Sequence, residues 1–454
     1  MKKLLLTLCA CALIGAAQAQ DLKKATLYLP GLDVEAGTEI IGTIYGVSSN
    51  GEYAVGYDDL FESCAFLWTR STGQFEVIEL ASLLYDVSND GIIVGDYWIE
   101  MPGGSGEVAT KPGYYKDGEW HALPTRRQDE FLVAGGNDLN GYAVAISGDG
   151  QFIAGVIPDA EIYKLSPVLW KWDETIQDYV IENSFDFLFE EIDRMECPVG
   201  WVTKDMSDDG SIITGFYEWG SGARSSAALI NGEVKRLTCL QDPLELPIGE
   251  EDIYMDAEGQ AKVSANGQYF AGYYAASANG MGMSGWVWTP EQESVTFTGE
   301  GTVLVCTDNN GTAYGSVTVM GPAMKYVDGT CVRLSDEYEW ESPYTFSTIF
   351  ATSDDGGVLG GISMANLPYY GIVQVPSILV VDGTEGVASV QTKGNSVVMY
   401  NGVAFINGEY NKAQVYNVQG MVVAEATEGN IDLNGVPAGV YIVNVDGQSF
   451  KVVK

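Results

Sequence analysis

Histidine is nearly absent from this chain, since His121 is the single histidine among 454 residues. A metal site built from histidines therefore cannot form within one chain, and Ser-His or Cys-His catalysis would have to use that one residue. The sequence also lacks a Gly-x-Ser-x-Gly nucleophile motif. We expect His121 to be a surface or strand-edge residue, and we assign no catalytic residue and no cofactor.

Basic residues are scarce as well. The chain has 23 Lys and Arg against 62 Asp and Glu, which gives a formal net charge of −39 at pH 7. Such a chain repels nucleic acid and anionic lipid, so we expect neither as a partner. Disorder is disfavoured because 46% of the residues are hydrophobic and 26 are Tyr. The acidic residues then form a solvated, aggregation-resistant surface.

Long apolar runs are missing beyond the N-terminus. Residues 1–19 combine Lys2 and Lys3, an apolar run from Leu4 to Ala17, and small residues before Gln20. This is the pattern of an export signal peptide, because the run is shorter than the roughly 20 residues that cross a bilayer. A lipoprotein alternative would use Cys11, but apolar residues continue after it. We predict export and no transmembrane segment.

The cysteines left after the signal peptide are odd in number and match no zinc pattern or disulfide framework. We expect most of them to be buried thiols, and their pairing stays open. They are Cys64, Cys197, Cys239, Cys306 and Cys331.

One short phrase is abundant instead: an apolar residue, then usually Ser or Thr, two small or acidic residues, and Gly. Its seven copies are Val47-Ser48-Ser49-Asn50-Gly51, Val87-Ser88-Asn89-Asp90-Gly91, Ile146-Ser147-Gly148-Asp149-Gly150, Met206-Ser207-Asp208-Asp209-Gly210, Val263-Ser264-Ala265-Asn266-Gly267, Thr307-Asp308-Asn309-Asn310-Gly311 and Thr352-Ser353-Asp354-Asp355-Gly356. A second glycine follows each copy, at Gly56, Gly95, Gly155, Gly215, Gly272, Gly315 and Gly361. Asn-Gly and Asp-Gly between alternating apolar segments predict a strand, a two-residue turn and a strand.

Two further short strands follow each copy, so every repeat predicts four antiparallel strands. Seven such repeats indicate an all-β fold, a seven-bladed β-propeller over residues 20–380. Six or eight blades remain open if the sixth or seventh phrase is misread. Residues 25–28 could supply the outer strand of the last blade and close the ring. We interpret the second glycine as room for close packing between neighbouring blades.

The repeat resembles the secreted HAF-type extracellular repeats over residues 45–370. Those units also run Ser-x-Asp-Gly, Val-x-Gly and an aromatic Phe-x-Trp strand, here Ala65-Phe66-Leu67-Trp68. The resemblance supports the fold and implies no chemistry.

The repeat ends by residue 380, residues 381–390 read as a linker, and a different β pattern then begins. Residues 391–454 contain short alternating segments with turns between them, which predict a small β-sandwich. The pattern closely resembles the type A C-terminal sorting domain of the Bacteroidetes type IX secretion system. The residues that carry the resemblance are Val415, Tyr416, Gly420, Gly439, Tyr441, Lys451 and Lys454.

The resemblance implies that the secretion machinery is a partner of this domain. It also implies delivery to the outer-membrane surface or the extracellular medium, or to the periplasm where the machinery is absent. A plain terminal β-sandwich that caps or oligomerises the propeller is the alternative.

The predicted blades place all tight Asp-Gly and Asn-Gly turns at one end of the ring. The variable connections, between strands two and three and between blades, lie at the other end. Aromatic residues just past the second glycine of blades 2, 4 and 5 lie at this variable end, where they could grip sugars or peptides. These candidate ligand-binding residues are Tyr97, Trp98, Tyr217, Trp219, Tyr273 and Tyr274. Packing of the same rings between blades is the alternative.

Two copies of the phrase also have the alternating oxygen spacing of a calcium loop, without its bidentate Glu. The residues are Asp86, Ser88 and Asp90, and Asp205, Ser207 and Asp209. Hairpin turns explain them without metal, so calcium is a secondary alternative.

The leading functional prediction is an extracellular or surface propeller that binds a glycan or protein without catalysis. A polysaccharide hydrolase or lyase that uses carboxylates at the variable end is the second hypothesis. A structural component of a surface assembly is the third.

Overall fold

The computed structural model divides the chain into two compact units, Met1–Gly383 and Thr384–Lys454. It describes residues 22–30, 42–58, 64–100, 108–125, 141–158, 165–185, 198–219, 224–239, 255–256, 261–275, 283–318, 321–342, 344–367, 371–381, 396–400, 403–407, 411–417, 421–427, 430–433, 435–437, 440–445 and 448–453. The predicted signal peptide lies outside these residues. Within them, no helix is long and apolar enough to cross a membrane.

The described part of the first unit contains seven four-stranded antiparallel sheets, one for each copy of the phrase. Two short strands precede them, β1 (Lys23–Lys24) and β2 (Thr26–Tyr28). Blade 1 contains β3 (Gly42–Val47), β4 (Tyr53–Asp58), β5 (Cys64–Thr69) and β6 (Gln74–Val77). Blade 2 contains β7 (Ala81–Val87), β8 (Ile93–Glu100), β9 (Val108–Lys116) and β10 (Glu119–Ala122). Blade 3 contains β11 (Tyr142–Ile146), β12 (Phe152–Pro158), β13 (Leu165–Asp173) and β14 (Asp178–Ser184).

Blade 4 contains β15 (Pro198–Met206), β16 (Ile212–Trp219), β17 (Arg224–Ile230) and β18 (Glu233–Arg236), and is followed by the short pair β19 (Thr238–Cys239) and β20 (Met255–Asp256). Blade 5 contains β21 (Lys262–Val263), β22 (Phe270–Ala275), β23 (Met283–Trp288) and β24 (Thr296–Glu300). Blade 6 contains β25 (Thr302–Thr307), β26 (Ala313–Val317), β27 (Ala323–Val327) and β28 (Thr330–Arg333), and a 3₁₀ turn (Leu334–Asp336) and β29 (Tyr338–Glu339) follow it. Blade 7 contains β30 (Thr345–Thr352), β31 (Val358–Leu367) and β32 (Gly371–Val380). The seven-bladed prediction is therefore confirmed.

The fourth strand of blade 7 comes from the other end of the unit. Strand β2 pairs antiparallel with β32, and Thr26, Leu27 and Tyr28 lie opposite Val380, Leu379 and Ile378. The ring is thus closed by the residues that the sequence suggested for this role. Tyr28 also packs against Trp68 of blade 1, with ring centroids 5.2 Å apart, so β2 links two neighbouring blades.

The repeated phrase forms the connection between the first and second strands of each blade. The glycine that ends it has a positive φ in all seven copies, for example +68° at Gly51 and +71° at Gly356. This glycine donates its N–H to the carbonyl of the first turn residue, as Gly51 does to Ser48 at 2.8 Å. The connections are five or six residues long, so the two-residue turn expected here is wrong. The left-handed backbone that motivated the expectation is nevertheless present.

Two-residue turns occur instead between the third and fourth strands. Asp117-Gly118, Asn231-Gly232 and Asp328-Gly329 each have two consecutive positive φ angles. That backbone is the type I′ turn, which Asn-Gly and Asp-Gly favour because their side chains tolerate left-handed φ.

The serine of the phrase closes each turn from within. In blade 1, the buried Ser48 Oγ accepts the N–H of Tyr53 at 2.9 Å and donates to Asn50 Oδ1 at 2.8 Å. Blades 3, 4, 5 and 7 repeat this pair of bonds. In blade 6, Asp308 replaces the serine and accepts the N–H groups of Asn310 and Thr312, both at 2.9 Å. The sequence therefore varies while the bonding is kept.

The second glycine lies where the first strand of its own blade comes close. A Cβ on Gly56 would meet the carbonyl oxygen of Thr43, and a Cβ on Gly315 would meet that of Val303. We expected packing between neighbouring blades to exclude a side chain at this position. The backbone of the first strand in the same blade excludes it instead. The first strands are bulged beside these glycines, with register shifts such as that between Ile44 and Gly46.

Apolar side chains fill the spaces between neighbouring blades. One cluster joins Ile44, Phe66 and Trp68 of blade 1 to Val358 and Ile378 of blade 7. Fully buried tryptophans occur in several blades: Trp68, Trp170, Trp201, Trp286 and Trp288. Burial of these large rings makes the blade interfaces the main source of stability in this unit.

The second unit has its own small core. Its described strands are β33 (Ser396–Tyr400), β34 (Val403–Asn407), β35 (Ala413–Asn417), β36 (Val422–Ala426), β37 (Ile431–Asp432), β38 (Val440–Val445) and β39 (Gln448–Val453). They form a three-stranded sheet, in the order β33-β34-β37, and a four-stranded sheet, in the order β36-β35-β38-β39. Ile431 of the first sheet packs in one apolar cluster with Val415 and Val443 of the second, as in a small β-sandwich.

Candidate functional site

The two ends of the propeller differ in how much their connections vary. Connections between first and second strands are five or six residues long in every blade, and we call the end that carries them the tight-turn face. At the opposite end, the connections between blades range from the single residue Gly301 to the stretch 237–261. We call this end the loop-rich face. Because length variation is tolerated where the core is not involved, the loop-rich face can differ from blade to blade.

Neighbouring turns are tied together on the tight-turn face. The backbone N–H of Asn89 donates to the carbonyl of Gly148, and that of Asp354 donates to the carbonyl of Ser49, both at 2.9 Å. Side chains add further links, because Asp208 Oδ1 accepts the N–H of Gly148 at 2.6 Å. The same kinds of bond join blades 1 and 2, 4 and 5, 5 and 6, and 6 and 7. The acidic and amide residues of the phrase therefore form hydrogen bonds between neighbouring blades and stabilise the closed ring.

A narrow channel lies just inside this face. It encloses about 80 Å³ between first strands and is lined by Asp86, Asp205, Lys262 and Cys306 among others. Asp86 Oδ2 accepts the N–H of Ile146 in the next blade at 2.9 Å, and Asp205 Oδ2 accepts that of Val263 at 3.1 Å. Burial raises the pKa of Asp86 to about 7 and also raises the pKa of Asp205. These carboxyls connect blades across the channel wall.

These contacts also account for the residues of the calcium alternative. Asp86 and Asp205 bind backbone N–H groups in neighbouring blades, whereas Asp209 accepts the hydroxyls of Ser207 and Ser211 in its own turn. Ser88 Oγ accepts the N–H of Ile92 at 3.0 Å, and Asp90 is exposed. In the described part of the chain, no group of three or more His, Cys, Asp or Glu side chains is placed to hold a metal ion.

A larger cavity opens on the loop-rich face, where blades 7, 1 and 2 meet. Its volume is about 520 Å³, within the roughly 300–1,000 Å³ typical of small-molecule sites. The lining residues come from the first three strands of blade 7, the first two of blade 1 and the first two of blade 2. They are Gly42, Thr43, Tyr45, Tyr57, Ala81, Ser82, Leu83, Trp98, Phe350, Ile362 and Gln374. We call this cavity the blade 1–2 pocket.

The bulges of the first strands help to supply the aromatic wall of this pocket. Tyr45 is the residue that the β3–β4 ladder skips, and Phe350 is skipped in the same way between β30 and β31. A skipped residue is free of the strict alternation of the strand, so its side chain need not enter the core of its blade. Both residues line the pocket. Tyr85, skipped in blade 2, lies beside Tyr45 with ring centroids 5.7 Å apart.

Of the predicted ligand-binding residues whose side chains the structure describes, Trp98 alone lines the blade 1–2 pocket. Its side chain is 44% exposed, and its backbone N–H donates to the carbonyl of Leu80 at 2.8 Å. The neighbouring Leu80 is exposed too. An exposed indole at the mouth of a cavity is suited to stack on a ligand.

The other predicted aromatics have different surroundings. Tyr97 is stacked on Trp120 of the same blade, with ring centroids 5.0 Å apart and planes 8° apart. Tyr274 is 2% exposed and packs edge-on against Phe297, and its ring lies in the apolar cluster between blades 4 and 5, as the between-blade alternative predicted. Tyr273 is partly buried. The side chains of Tyr217 and Trp219 lie outside the described residues, although their backbone forms part of β16.

Asp96 lies beside the pocket without being part of its lining. Its carboxylate is hydrogen-bonded to Ser82, which does line the pocket. Its Oδ1 is a buried oxygen without a hydrogen-bond partner among the described residues. Burial raises the pKa of this carboxyl to about 7. Sequence reasoning missed Asp96, because its position among the acidic residues gives no sign of burial.

None of the histidine and cysteine side chains that the structure describes lines the pocket. His121 is exposed on β10 and stacks on Tyr114, as expected for a strand-edge residue. Cys306 is a buried thiol in the channel, where burial raises its pKa to about 12, and Cys331 is an exposed free thiol. The side chains of the other three mature cysteines lie outside the described residues.

Fold and topology together define the first unit as a β-propeller. No family model and no curated protein matches the chain. It is similar to the solved structure of TolB from Acinetobacter baumannii, at 11% identity over 66% of this chain with a TM-score of 0.32. The match spans about half of that protein, 52%.

Two further solved structures show the same kind of likeness. The oligogalacturonate lyase from Vibrio parahaemolyticus is 11% identical over 80% of this chain and 98% of its own, with a TM-score of 0.33. The β-propeller domain of the Trilobed protease from Pyrococcus furiosus is 10% identical over 69% and 85%, with a TM-score of 0.32. At these values the likeness concerns the fold and says nothing of ligand or activity.

Proposed function

We propose that this chain is an exported, non-catalytic propeller that binds an extracellular glycan or protein at the blade 1–2 pocket. The observation that supports the proposal is a 520 Å³ cavity on the loop-rich face with the exposed Trp98 in its lining. The described lining contains no Asp, Glu, His or Cys, and its hydroxyl, amide and aromatic side chains are groups suited to binding a ligand.

The binding proposal is tested with a panel of glycans and peptides and the variant Trp98→Ala. Loss of binding in this variant is the expected result, because the indole supplies much of the apolar contact area. Ile176→Ala is the matched control, since Ile176 is 58% exposed in the turn after β13 on the tight-turn face. Equal binding by wild type and Trp98→Ala across the panel would remove the pocket as the site.

We further propose that the second unit acts as a sorting domain for the type IX secretion machinery. Support comes from the resemblance of residues 390–454 and from the separate core of this unit, in which Val415 and Tyr441 are buried. Tyr441 donates its hydroxyl to the carbonyl of Pro437 at 2.6 Å. Lys451 contributes backbone to β39, while Gly420, Gly439 and Lys454 lie outside the described residues.

The sorting proposal is tested by truncation after Gly386, followed by cell fractionation. We expect the truncated protein to stay in the periplasm and the full chain to reach the outer-membrane surface or the medium. An unchanged unfolding midpoint of the propeller must accompany the result, to show that the first unit still folds. Normal surface delivery of the truncated chain would contradict the role of the second unit.

A further inference from the structure

The described lining of the blade 1–2 pocket is uncharged, although the protein as a whole is strongly charged. Its polar groups are the hydroxyls of Thr43, Tyr45, Tyr57 and Ser82 and the amide of Gln374. None of the eleven lining residues is Asp, Glu, Lys or Arg, although 19% of the chain is charged. The chemistry of the lining therefore differs from that of the surface around it, which is informative about the ligand.

An anionic ligand is disfavoured on two counts. Among the described lining residues there is no Lys or Arg to pair with a carboxylate or sulfate, and a buried charge without a partner is costly. The chain also carries a net charge of −39, which repels polyanions as they approach. The ionisable group beside the pocket, Asp96, is itself an acid whose ionisation would add to that repulsion.

A cationic ligand is also poorly served by this lining. Four aromatic residues surround the cavity, but a cage for an ammonium group gains most when a carboxylate faces the cation. Asp96 lies behind Ser82 and outside the lining. Because the Ser82 hydroxyl is bonded to Asp96, the Ser82 oxygen is left to act as an acceptor for a ligand hydroxyl.

We infer that the ligand of the blade 1–2 pocket is an oligosaccharide of neutral sugars. Aromatic rings match the apolar C–H faces of a sugar, and short hydroxyl and amide groups match its ring of hydroxyls. In this arrangement Trp98 stacks on a sugar face, while Thr43, Ser82 and Gln374 exchange hydrogen bonds with sugar hydroxyls. The inference rests on the proposed binding function and adds the ligand class.

Isothermal titration calorimetry with the full chain tests the inference. The probes are neutral gluco-, manno- and xylo-oligosaccharides, oligogalacturonates, a sulfated oligosaccharide, an uncharged peptide and a trimethylammonium compound. We expect a neutral oligosaccharide to bind with an affinity that changes less than twofold between 50 and 500 mM salt, because no ion pair is formed. Relative to the wild type, Trp98→Ala should lower that affinity by about tenfold or more, whereas Trp98→Phe should retain most of it.

The outcomes separate the ligand class from the binding function. Trp98-dependent binding of an acidic oligosaccharide, the peptide or the trimethylammonium compound, with no neutral sugar bound, overturns the inference and leaves the binding proposal standing. Binding of a neutral oligosaccharide that is equal in wild type and Trp98→Ala overturns both assignments to this pocket. No binding of any probe by the folded wild type overturns both as well. Circular dichroism and urea unfolding confirm that each variant is folded.

Discussion

The tight-turn face and the loop-rich face are built from the same seven repeats, yet they differ in what the repeats keep constant. On the tight-turn face the turn serine recurs in six blades, with Asp308 in its place in blade 6, and the left-handed glycine and its backbone hydrogen bond recur in all seven. On the loop-rich face connection lengths and side chains differ, and one cavity involves three of the seven blades. Repetition thus marks positions needed to close the ring, and departure from it marks the place to look for a ligand.

The channel combines a constant backbone with variable side chains. The first strands that form its wall have the same backbone geometry in each blade, but the residue types at equivalent positions differ. They include Gly46, Asp86, Asp205, Lys262 and Cys306. The carboxyls that occur there are partnered by backbone N–H groups of the next blade. Sequence variation alone is therefore a weaker guide to a ligand site than variation combined with an open, exposed cavity.

The largest effect is expected from a substitution that breaks the repeated turn. Gly356→Ala should lower the free energy of unfolding by about 3 kcal/mol, because its φ is +71° and a Cβ would meet the Tyr314 hydroxyl and Asp308. Gly329→Ala is the control, since its φ is +77° but no atom lies within 4 Å of the added Cβ. It should cost about 1 kcal/mol. Urea unfolding measures both, and equal losses would show that crowding at Gly356 has no effect.

Ionisation in the channel should have the next largest effect. The folded-state pKa of Asp86 is raised to about 7, so the folded protein keeps a proton that the unfolded chain releases near pH 4. Stability from this group is therefore greatest at acid pH and falls as the pH rises from about 4 to 7. Asp86→Asn removes the ionisation and keeps an oxygen to accept the Ile146 N–H.

The difference in unfolding free energy between Asp86→Asn and wild type should consequently grow in favour of the variant by about 2–3 kcal/mol between pH 5 and pH 8. Asp86→Ala provides the comparison, because it loses the same charge and also leaves the Ile146 N–H without its acceptor. A difference that does not change with pH would show that Asp86 is not the group that titrates.

Loss of the turn serine should have a smaller effect than the strained glycine. Ser353→Ala should lower the free energy of unfolding by about 1–3 kcal/mol, because the buried Val358 N–H loses its acceptor at 3.0 Å. Thr72→Ala, in an exposed turn on the same face, should change it by less than about 0.5 kcal/mol. Chemical denaturation of the two variants side by side makes the measurement, and similar values would mean that the serine bond contributes little.

The smallest effect on stability is expected on the loop-rich face. Trp98→Ala should lower the free energy of unfolding by only about 1 kcal/mol, because the residue is 44% exposed and the substitution removes only part of the burial of a large ring. The same variant is expected to lose ligand binding. A large loss of stability would instead make Trp98 part of the framework and remove the contrast between the faces.

The sequence predicted the repeated parts of the structure better than the site. Asp-Gly and Asn-Gly pairs indicated the turns, and residues 25–28 were assigned to blade 7, because both signals depend on local chemistry or simple alternation. Tyr274 was misleading, since alternation separates the two sides of a strand without saying which side faces the core. Tyr45 and Phe350 reach the pocket through bulges that a sequence pattern does not reveal. The pocket itself requires three blades to be brought together.

The pairing of β2 with β32 also constrains the order in which the propeller can be completed. Tyr28 meets Ile378 across almost the whole length of the first unit, so this contact has a very long loop to close. Blades 1 to 6 can each form their hairpins from neighbouring segments, whereas blade 7 must wait for both ends of the unit. Until then strand β32 has an unpaired edge, and we expect a chain stopped at this step to be prone to misfolding and aggregation.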